Sequence, residues 1–254
     1  MTDLVLRQDQ DGIATLTLNA PQSLNALSRA MLVDLQAVLS DIAADDTICV
    51  VILRAEGRAF SPGHDLKEIE AARSAPDGGE AEIASLFALC SRVMQMLPAL
   101  PQPVIASVQA VATAAGCQLA CSCDLIVASE TARFGVNGIN LGLFCSTPAV
   151  ALSRRIGPAQ AFELLTTGEF LSAQRAHAIG LVNRLAAPEA LDSDTLALAR
   201  QIAAKDRGAI RLGKAAFRAQ LGLQDAPVFR GGFDRPNMRI EAAPRDQERA
   251  QLRA

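Results

Sequence analysis

Tryptophan and tyrosine are both missing from this 254-residue chain, which leaves nine phenylalanines as its aromatic side chains. Stacking platforms for nucleobases are therefore scarce. A net charge of −3 adds no global pull toward nucleic acid or anionic lipid, so neither is expected as a partner. Histidine is nearly missing too, with only His64 and His177 present. Neither stands close in sequence to the main cysteine cluster, so no metal site is expected. The six cysteines, at 49, 90, 117, 121, 123 and 145, form no Cys-x-x-Cys pair. Apolar or small neighbours around four of them predict buried, reduced thiols. No uncharged apolar run approaches the ~20 residues of a membrane span. The opening Met1-Thr2-Asp3-Leu4 has no basic region followed by an apolar one. The reading is a cytoplasmic protein with no membrane partner. Gly-x-Gly-x-x-Gly and Walker sequences are absent as well, so nucleotide phosphates are not indicated as ligands.

What is present is ordered. Length suits one large domain, or a domain with a helical appendage, with a substantial core. Ile13 to Leu18 alternates like a half-buried strand after a turn at Asp11-Gly12. Met31, Leu32, Leu35, Val38, Leu39 and Ile42 then repeat with the 3.6-residue period of an amphipathic helix. Ile48 to Leu53 is a continuous apolar run, as in a strand covered on both faces. A Gly/Pro loop leads to a short helix from about His64. The stretch Ala75-Pro76-Asp77-Gly78-Gly79 reads as a loop, and 80–97 as a helix ending before Pro98. Strands are expected at Val104–Val108, Leu125–Val127 and Ala132–Phe134. The first 140 residues thus repeat strand, strand, helix and are not a βαβ Rossmann unit. From about 148 the chain reads as helical, at 148–157, 158–166, 172–179 and after 191.

Two turns stand out chemically. Residues 106–125 form a strand, a small-residue turn and a buried helix. Phe60-Ser61-Pro62-Gly63-His64-Asp65-Leu66-Lys67-Glu68 forms a second Gly-containing turn that delivers a helix N-terminus. Free backbone N–H groups at such turns, with the positive end of a helix dipole, suit a developing negative oxygen. Together they read as the two halves of a thioester oxyanion hole.

Four ordered markers then give the chain a family look. They are Ser23-Leu24-Asn25-Ala26-Leu27, Gly57 to Leu66, the 106–125 segment, and Thr167 to Gln174 followed by Gly180-Leu181-Val182. Over residues 1 to about 222 the chain resembles the crotonase superfamily, also called the enoyl-CoA hydratase/isomerase family. Ala112 to Leu119 and Gly142 to Pro148 are most similar to its enoyl-CoA hydratase domain-containing subgroup, third type. The resemblance implies an α/β fold, a crotonase-like spiral of ββα turns with a C-terminal helical trimerisation region. The expected division is 1–190 for the spiral core with the acyl-CoA site, and 191–254 for the helical region with an atypical tail. It implies a homotrimer or dimer of trimers and an acyl-CoA thioester as ligand. Coenzyme A arrives as part of the substrate, with no separate cofactor. By position, the thioester oxygen would be held by the backbone N–H groups of His64 and Ala115. Ser23 and Leu24 would line the pantetheine and adenine, and Asp65 and Leu66 would flank the acyl entrance.

The chain departs from that family at two positions. Hydratases of the family carry glutamates where this sequence has Gln118 and Gly138. An amide does not titrate and glycine has no side chain, and loss of one general acid–base group forfeits about 10²–10⁴ in rate. Standard hydratase activity is therefore expected to be weak or absent. Hydratase or isomerase remains the family-level label, and the alternative is a noncatalytic acyl-CoA-binding protein or assembly subunit. The carboxylates between Ala106 and Ser153 are Asp124, expected to be structural, and Glu130, expected on a surface turn. An imidazole ordinarily titrates near neutrality, yet the family site would use the backbone N–H of His64. His177 reads as an ordinary surface or capping residue. Cys117 and Cys145 flank the expected pocket, but neither has a base nearby in sequence and both read as filler. Asn137 and Asn140 bracket Gly138, positioned to hold a water and unable to remove a proton.

The C-terminal stretch differs again. Residues 205–254 hold eleven Lys/Arg against six Asp/Glu, which reads as a solvated helical face, a subunit rim or a phosphate-binding edge. Residues 225–254 show little apolar period, and an altered or frame-shifted C-terminus is expected there.

Overall fold

A computed structural model describes residues 3–221. The expectation of an altered tail concerns 225–254 and lies outside the described residues. The chain divides into two compact units at Leu212/Gly213. The first holds every site discussed below. The second is described only as far as Leu221, and to that point it is helical.

The N-terminal strands β1 (Val5–Gln10) and β2 (Ile13–Leu18) form an antiparallel hairpin. Its turn is Asp11-Gly12, both with positive φ, as a two-residue hairpin turn requires. Helix α1 (Arg29–Ala44) starts at Ser28, whose hydroxyl accepts from the Met31 N–H. Its stripe is buried as the period predicts, with Val38 only partly so. There follow β3 (Val50–Ala55), β4 (Ala59–Ser61), α2 (Leu66–Ala72) and α3 (Glu80–Ala99). Next come β5 (Val104–Val108), β6 (Val111–Thr113), α4 (Ala115–Ser122), β7 (Leu125–Ser129) and β8 (Arg133–Gly135). A 3₁₀ turn (Asn137–Leu141) leads to α5 (Ser146–Ser153), α6 (Pro158–Thr167), β9 (Phe170–Ser172) and α7 (Ala173–Ala178). The described chain ends with β10 (Arg184–Ala186), α8 (Leu191–Ala203) and α9 (Arg207–Leu221).

These strands form two sheets among the described residues, β1-β2-β3-β5-β7-β10 and β4-β6-β8-β9. Each pair β3/β4, β5/β6 and β7/β8 gives its first strand to the larger sheet and its second to the smaller. That is the ββα spiral the family resemblance implies, built on the strand-strand-helix repeat read from the sequence. The main core lies between the sheets, α1, α3 and α4, around Leu16, Leu35, Phe60, Val93 and Phe134. A second core, around Ile52, Ile105, Val127 and Leu198, lies on the other face of the larger sheet under α8.

Several local expectations change. β2 is buried on both faces instead of half-buried, because Ile13 belongs to the core under α8 while Leu16 and Leu18 face the main core. β3 runs from Val50 to Ala55, displaced from 48–53, since its parallel register with β2 extends from Ile13↔Val50 to Leu18↔Ala55. α3 does not stop before Pro98 but continues to Ala99. Pro98 removes one donor in the last turn only, and buried Leu97 and Leu100 hold that turn in place.

Candidate active site

The first half of the site hangs on Asn25. It is fully buried and has φ +60, next to Leu24 at φ +58. Asparagine is among the few non-glycine residues that adopt this conformation readily. Its Nδ2 donates to the carbonyls of Glu56 and Ala59 at 2.8 and 2.9 Å, and its Oδ1 accepts from the Ala20 N–H at 2.9 Å. The buried Ser61 hydroxyl donates to the Asn25 carbonyl at 2.9 Å and accepts from the Gly63 N–H at 3.3 Å. The Gly63 carbonyl in turn accepts from the Leu27 N–H at 2.8 Å. The Ser23–Leu27 turn and the Gly63-His64 turn are thereby one hydrogen-bonded body. Ser23 is exposed, with its hydroxyl on the Ala20 carbonyl, and Leu24 is half-buried.

The second half is the start of α4. Ala114, its N-cap, has φ +49 and ψ −124. These are near the angles of the first central residue of a type II′ turn, where glycine is the usual occupant. Its N–H donates to the Gly135 carbonyl at 3.0 Å. Gly116 lies so close to β4 that a Cβ there would stand 2.1 Å from the Ser61 carbonyl oxygen. At the far end of α4 the Arg155 guanidinium donates to the Cys121 carbonyl at 2.7 Å and to the Cys123 carbonyl. A cation there satisfies orphan carbonyls and complements the helix dipole.

The halves meet at Gly63 and Ala115. Gly63 has φ +97, and a Cβ built on it would sit 3.0 Å from the Ala115 nitrogen and 3.1 Å from the Ala114 Cβ. The backbone of His64 therefore starts close to the Ala115 nitrogen. Gln118 lies one turn into α4 and is 7 % exposed. Gly138 lies in the 3₁₀ turn after β8, the parallel neighbour of β6. The Thr113 hydroxyl, at the end of β6, donates to Asn137 Oδ1 at 2.6 Å. Gln118 and Gly138 thus follow the ends of two adjacent strands, β6 and β8. Gly138 carries no positive φ among the described glycines. What bars a side chain there is space: a Cβ would stand 2.7 Å from the Cys145 Sγ and 2.8 Å from the Leu143 carbonyl oxygen.

The remaining candidates fall into place. Asp65 is the N-cap of α2 and accepts from the Lys67 N–H at 2.9 Å, and Leu66 beside it is exposed. The His64 ring lies 4.6 Å from the Phe87 ring of α3, and burial pushes its pKa below the ordinary imidazole value. Asp124 accepts from the Val104 N–H at 2.8 Å, the structural role its position suggested. His177 Nδ1 lies 3.0 Å from the Val182 carbonyl oxygen. Cys117 is 4.0 Å from Cys121, sulfur to sulfur, and that contact, then burial, holds its thiol well above the usual range. A thiol held protonated is a poor nucleophile. Sequence reasoning missed the space conflict between Gly138 and Cys145 and the Asn25–Ser61 hub, whose visible trace was an asparagine inside an apolar turn.

A family model described as enoyl-CoA hydratase/isomerase matches residues 8–232, and the chain belongs to that family. It is 44% identical over 218 residues to the enoyl-CoA hydratase domain-containing protein 3, mitochondrial, of Mus musculus, covering 86% of this chain and 71% of that protein. A crystal structure of an enoyl-CoA hydratase from Mycobacterium smegmatis matches with TM-score 0.89 and 46% identity, covering 98% of this chain and 96% of the other. The crystal structure of human enoyl-CoA hydratase domain-containing protein 3 matches with TM-score 0.81 and 40% identity, covering 91% and 90%. The fold is thus the crotonase spiral.

Proposed function

We propose that this protein binds an acyl-CoA thioester and polarises its carbonyl between the backbone N–H groups of His64 and Ala115. The observation that carries the reading is the approach of Gly63 to the Ala115 nitrogen, 3.0 Å from a Cβ that glycine lacks. Negative charge developing on the thioester oxygen as an enolate forms would be met by both donors and by the N-terminus of α4. The Ser23-Leu24 turn, tied to the same body through Asn25, lies along the coenzyme A arm, and Asp65 and Leu66 flank the acyl entrance. Gln118 and Gly138 supply no proton relay, so two-carboxylate hydration is not the activity of this site. Coenzyme A belongs to the substrate, and no further cofactor takes part.

A noncatalytic acyl-CoA-binding protein or assembly subunit is the second reading. It is favoured by the Cys145 sulfur, which would stand 2.7 Å from the Cβ of any side chain at position 138. In both readings the protein works as a homotrimer or dimer of trimers. Exposed Leu141, Leu143, Phe144, Val150 and Phe162 provide apolar surface that a monomer rarely leaves open.

Calorimetric titration with CoA thioesters tests the binding. Millimolar or tighter affinity is expected, and its absence refutes the proposal. Turnover of a thioester panel followed by mass spectrometry separates enzyme from binder. The inactive control is Ala115→Pro, which removes one of the two donors.

A further inference from the structure

A cleft of about 220 Å³ lies on the other face of the larger sheet, where α8 gives way to the β1–β2 hairpin. β2 alternates: Ala14, Leu16 and Leu18 point into the main core, and Ile13, Thr15 and Thr17 line the cleft. β1 adds Gln8 and Gln10, and α8 adds Thr195, Leu196 and Arg200. Ile13 and Ile52 of the lining belong to the core under α8, whereas α4 packs in the main core, so this cleft is separate from the oxyanion turns.

Its hydroxyls have protons to spare. Thr17, 6 % exposed, accepts from Arg54 Nε at 3.1 Å, and its own proton meets no acceptor among the described residues. Ser107 and Thr195, both almost fully buried, face each other at 3.2 Å, and that one bond uses one of their two protons. The half-buried Thr15 hydroxyl is unbonded among the described residues. A hydroxyl has one proton to give, and buried polar groups are as a rule paired. Acceptor oxygens therefore belong in this cleft.

The charges point the same way. The Arg54 guanidinium meets both Asp192 and Glu56 at 2.9 Å, which compensates Asp192. Arg200 lies eight residues further along α8, about 12 Å on, and its guanidinium has no ion pair or hydrogen bond among the described residues. A single negative charge matches it. A second charge would face Asp11, which lines the same cleft without an ion pair among the described residues. The carboxamides of Gln8 and Gln10 both donate and accept, as hydroxyl groups need, while Ile13, Ile52 and Leu196 offer apolar surface to C–H groups. The volume is below the ~300 Å³ at which pockets for drug-sized ligands begin, so the ligand is small.

We propose that this cleft binds a small polyhydroxylated carboxylate, a sugar acid in chemical class. Its carboxylate pairs with Arg200, and its hydroxyl oxygens accept from Thr15, Thr17 and the Ser107–Thr195 pair. The site stands or falls independently of the acyl-CoA reading.

Calorimetric titration of the full chain with gluconate, glucose, hexanoate and glucose 6-phosphate tests it. Gluconate should bind with millimolar or tighter affinity, about tenfold or more tightly than each of the other three. Arg200→Met, a change at an exposed position, should weaken gluconate about tenfold or more and leave titration with butyryl-CoA unchanged. Thr15→Val should narrow the gap between gluconate and hexanoate. Absence of gluconate binding overturns the proposal and assigns the spare protons to water, with the acyl-CoA reading untouched. Glucose binding as well as gluconate removes the role of Arg200, hexanoate binding as well removes that of the hydroxyls, and tighter glucose 6-phosphate makes the head group a phosphate; each result overturns the assignment. Unchanged gluconate affinity in Arg200→Met places the ligand elsewhere and overturns the site. Should a variant not fold, gluconate-induced shifts of the Ile13 and Ile52 methyl resonances in the wild-type protein decide, and their absence overturns the site.

Discussion

Replacing Ala114 with glycine should make the protein more stable, although the change deletes a methyl group. Ala114 holds φ +49 and ψ −124, a conformation in which an L side chain crowds its own backbone and costs about 1–3 kcal/mol. The fold imposes it from both sides: its N–H is fixed to the Gly135 carbonyl at 3.0 Å and its carbonyl accepts from the Gln118 N–H at 3.0 Å. Glycine removes the crowding but brings the unfolded chain extra freedom, a cost of about 0.5–1 kcal/mol. The Ala114 methyl is half-buried, so the lost packing is small. The balance is a gain of about 1 kcal/mol, or a rise of about 2–4 °C in Tm for a domain of this size. Differential scanning calorimetry with guanidinium titration reads both quantities. A fall in Tm with an unchanged denaturant slope would show that the strain is not there. The account of how α4 is launched would then be wrong.

Other substitutions test neighbouring points. Gly116→Ala places a Cβ 2.1 Å from the Ser61 carbonyl oxygen; a loss of about 3 kcal/mol is expected by denaturation, and a neutral result contradicts the close approach of α4 to β4. Gln118→Glu should raise crotonyl-CoA hydration by about 10²-fold, read as loss of enoyl absorbance; a folded, thioester-binding variant without gain shows a pocket organised for something else. Gly138→Glu on its own should lower Tm through its collision with Cys145 and Leu143, and adding Cys145→Gly should recover part of the loss; no recovery would exclude the sulfur as the obstacle. The His64 ring has a lowered pKa when folded, so the unfolded chain binds the extra proton first. Its contribution to stability is full above about pH 6.5 and fades as pH falls below it, a slope that should flatten in His64→Gln. Asp45, held at about 2 chiefly by the Thr47 hydroxyl and N–H and then by Arg7, loses its contribution as pH falls from about 4 toward 2; Asp45→Asn should remove that part of the acid transition.

Much of this protein is local information, and local information is legible in a sequence. The 3.6-residue stripe of α1, the Asp11-Gly12 turn and the small-residue start of α4 are each set within a few residues. The strand-strand-helix repeat, with four motifs in order, was enough to anticipate the spiral. Boundaries followed less well where pairing decided them. β3 shifted because its ladder with β2 runs to Ala55, and α3 passed Pro98 because Leu97 and Leu100 are buried. The family resemblance pointed to Gln118 and Gly138 as the positions where glutamates are expected, but not to what surrounds them. That Gly138 is closed by the Cys145 sulfur depends on how the loop between them folds back. That Gly63 meets Ala115 depends on β4 and β6 pairing side by side, some fifty residues apart in the chain. Periodicity and turn chemistry act between near neighbours, whereas steric closure and hydrogen-bond satisfaction are properties of atoms brought together from distant segments. Only the folded chain sets those distances.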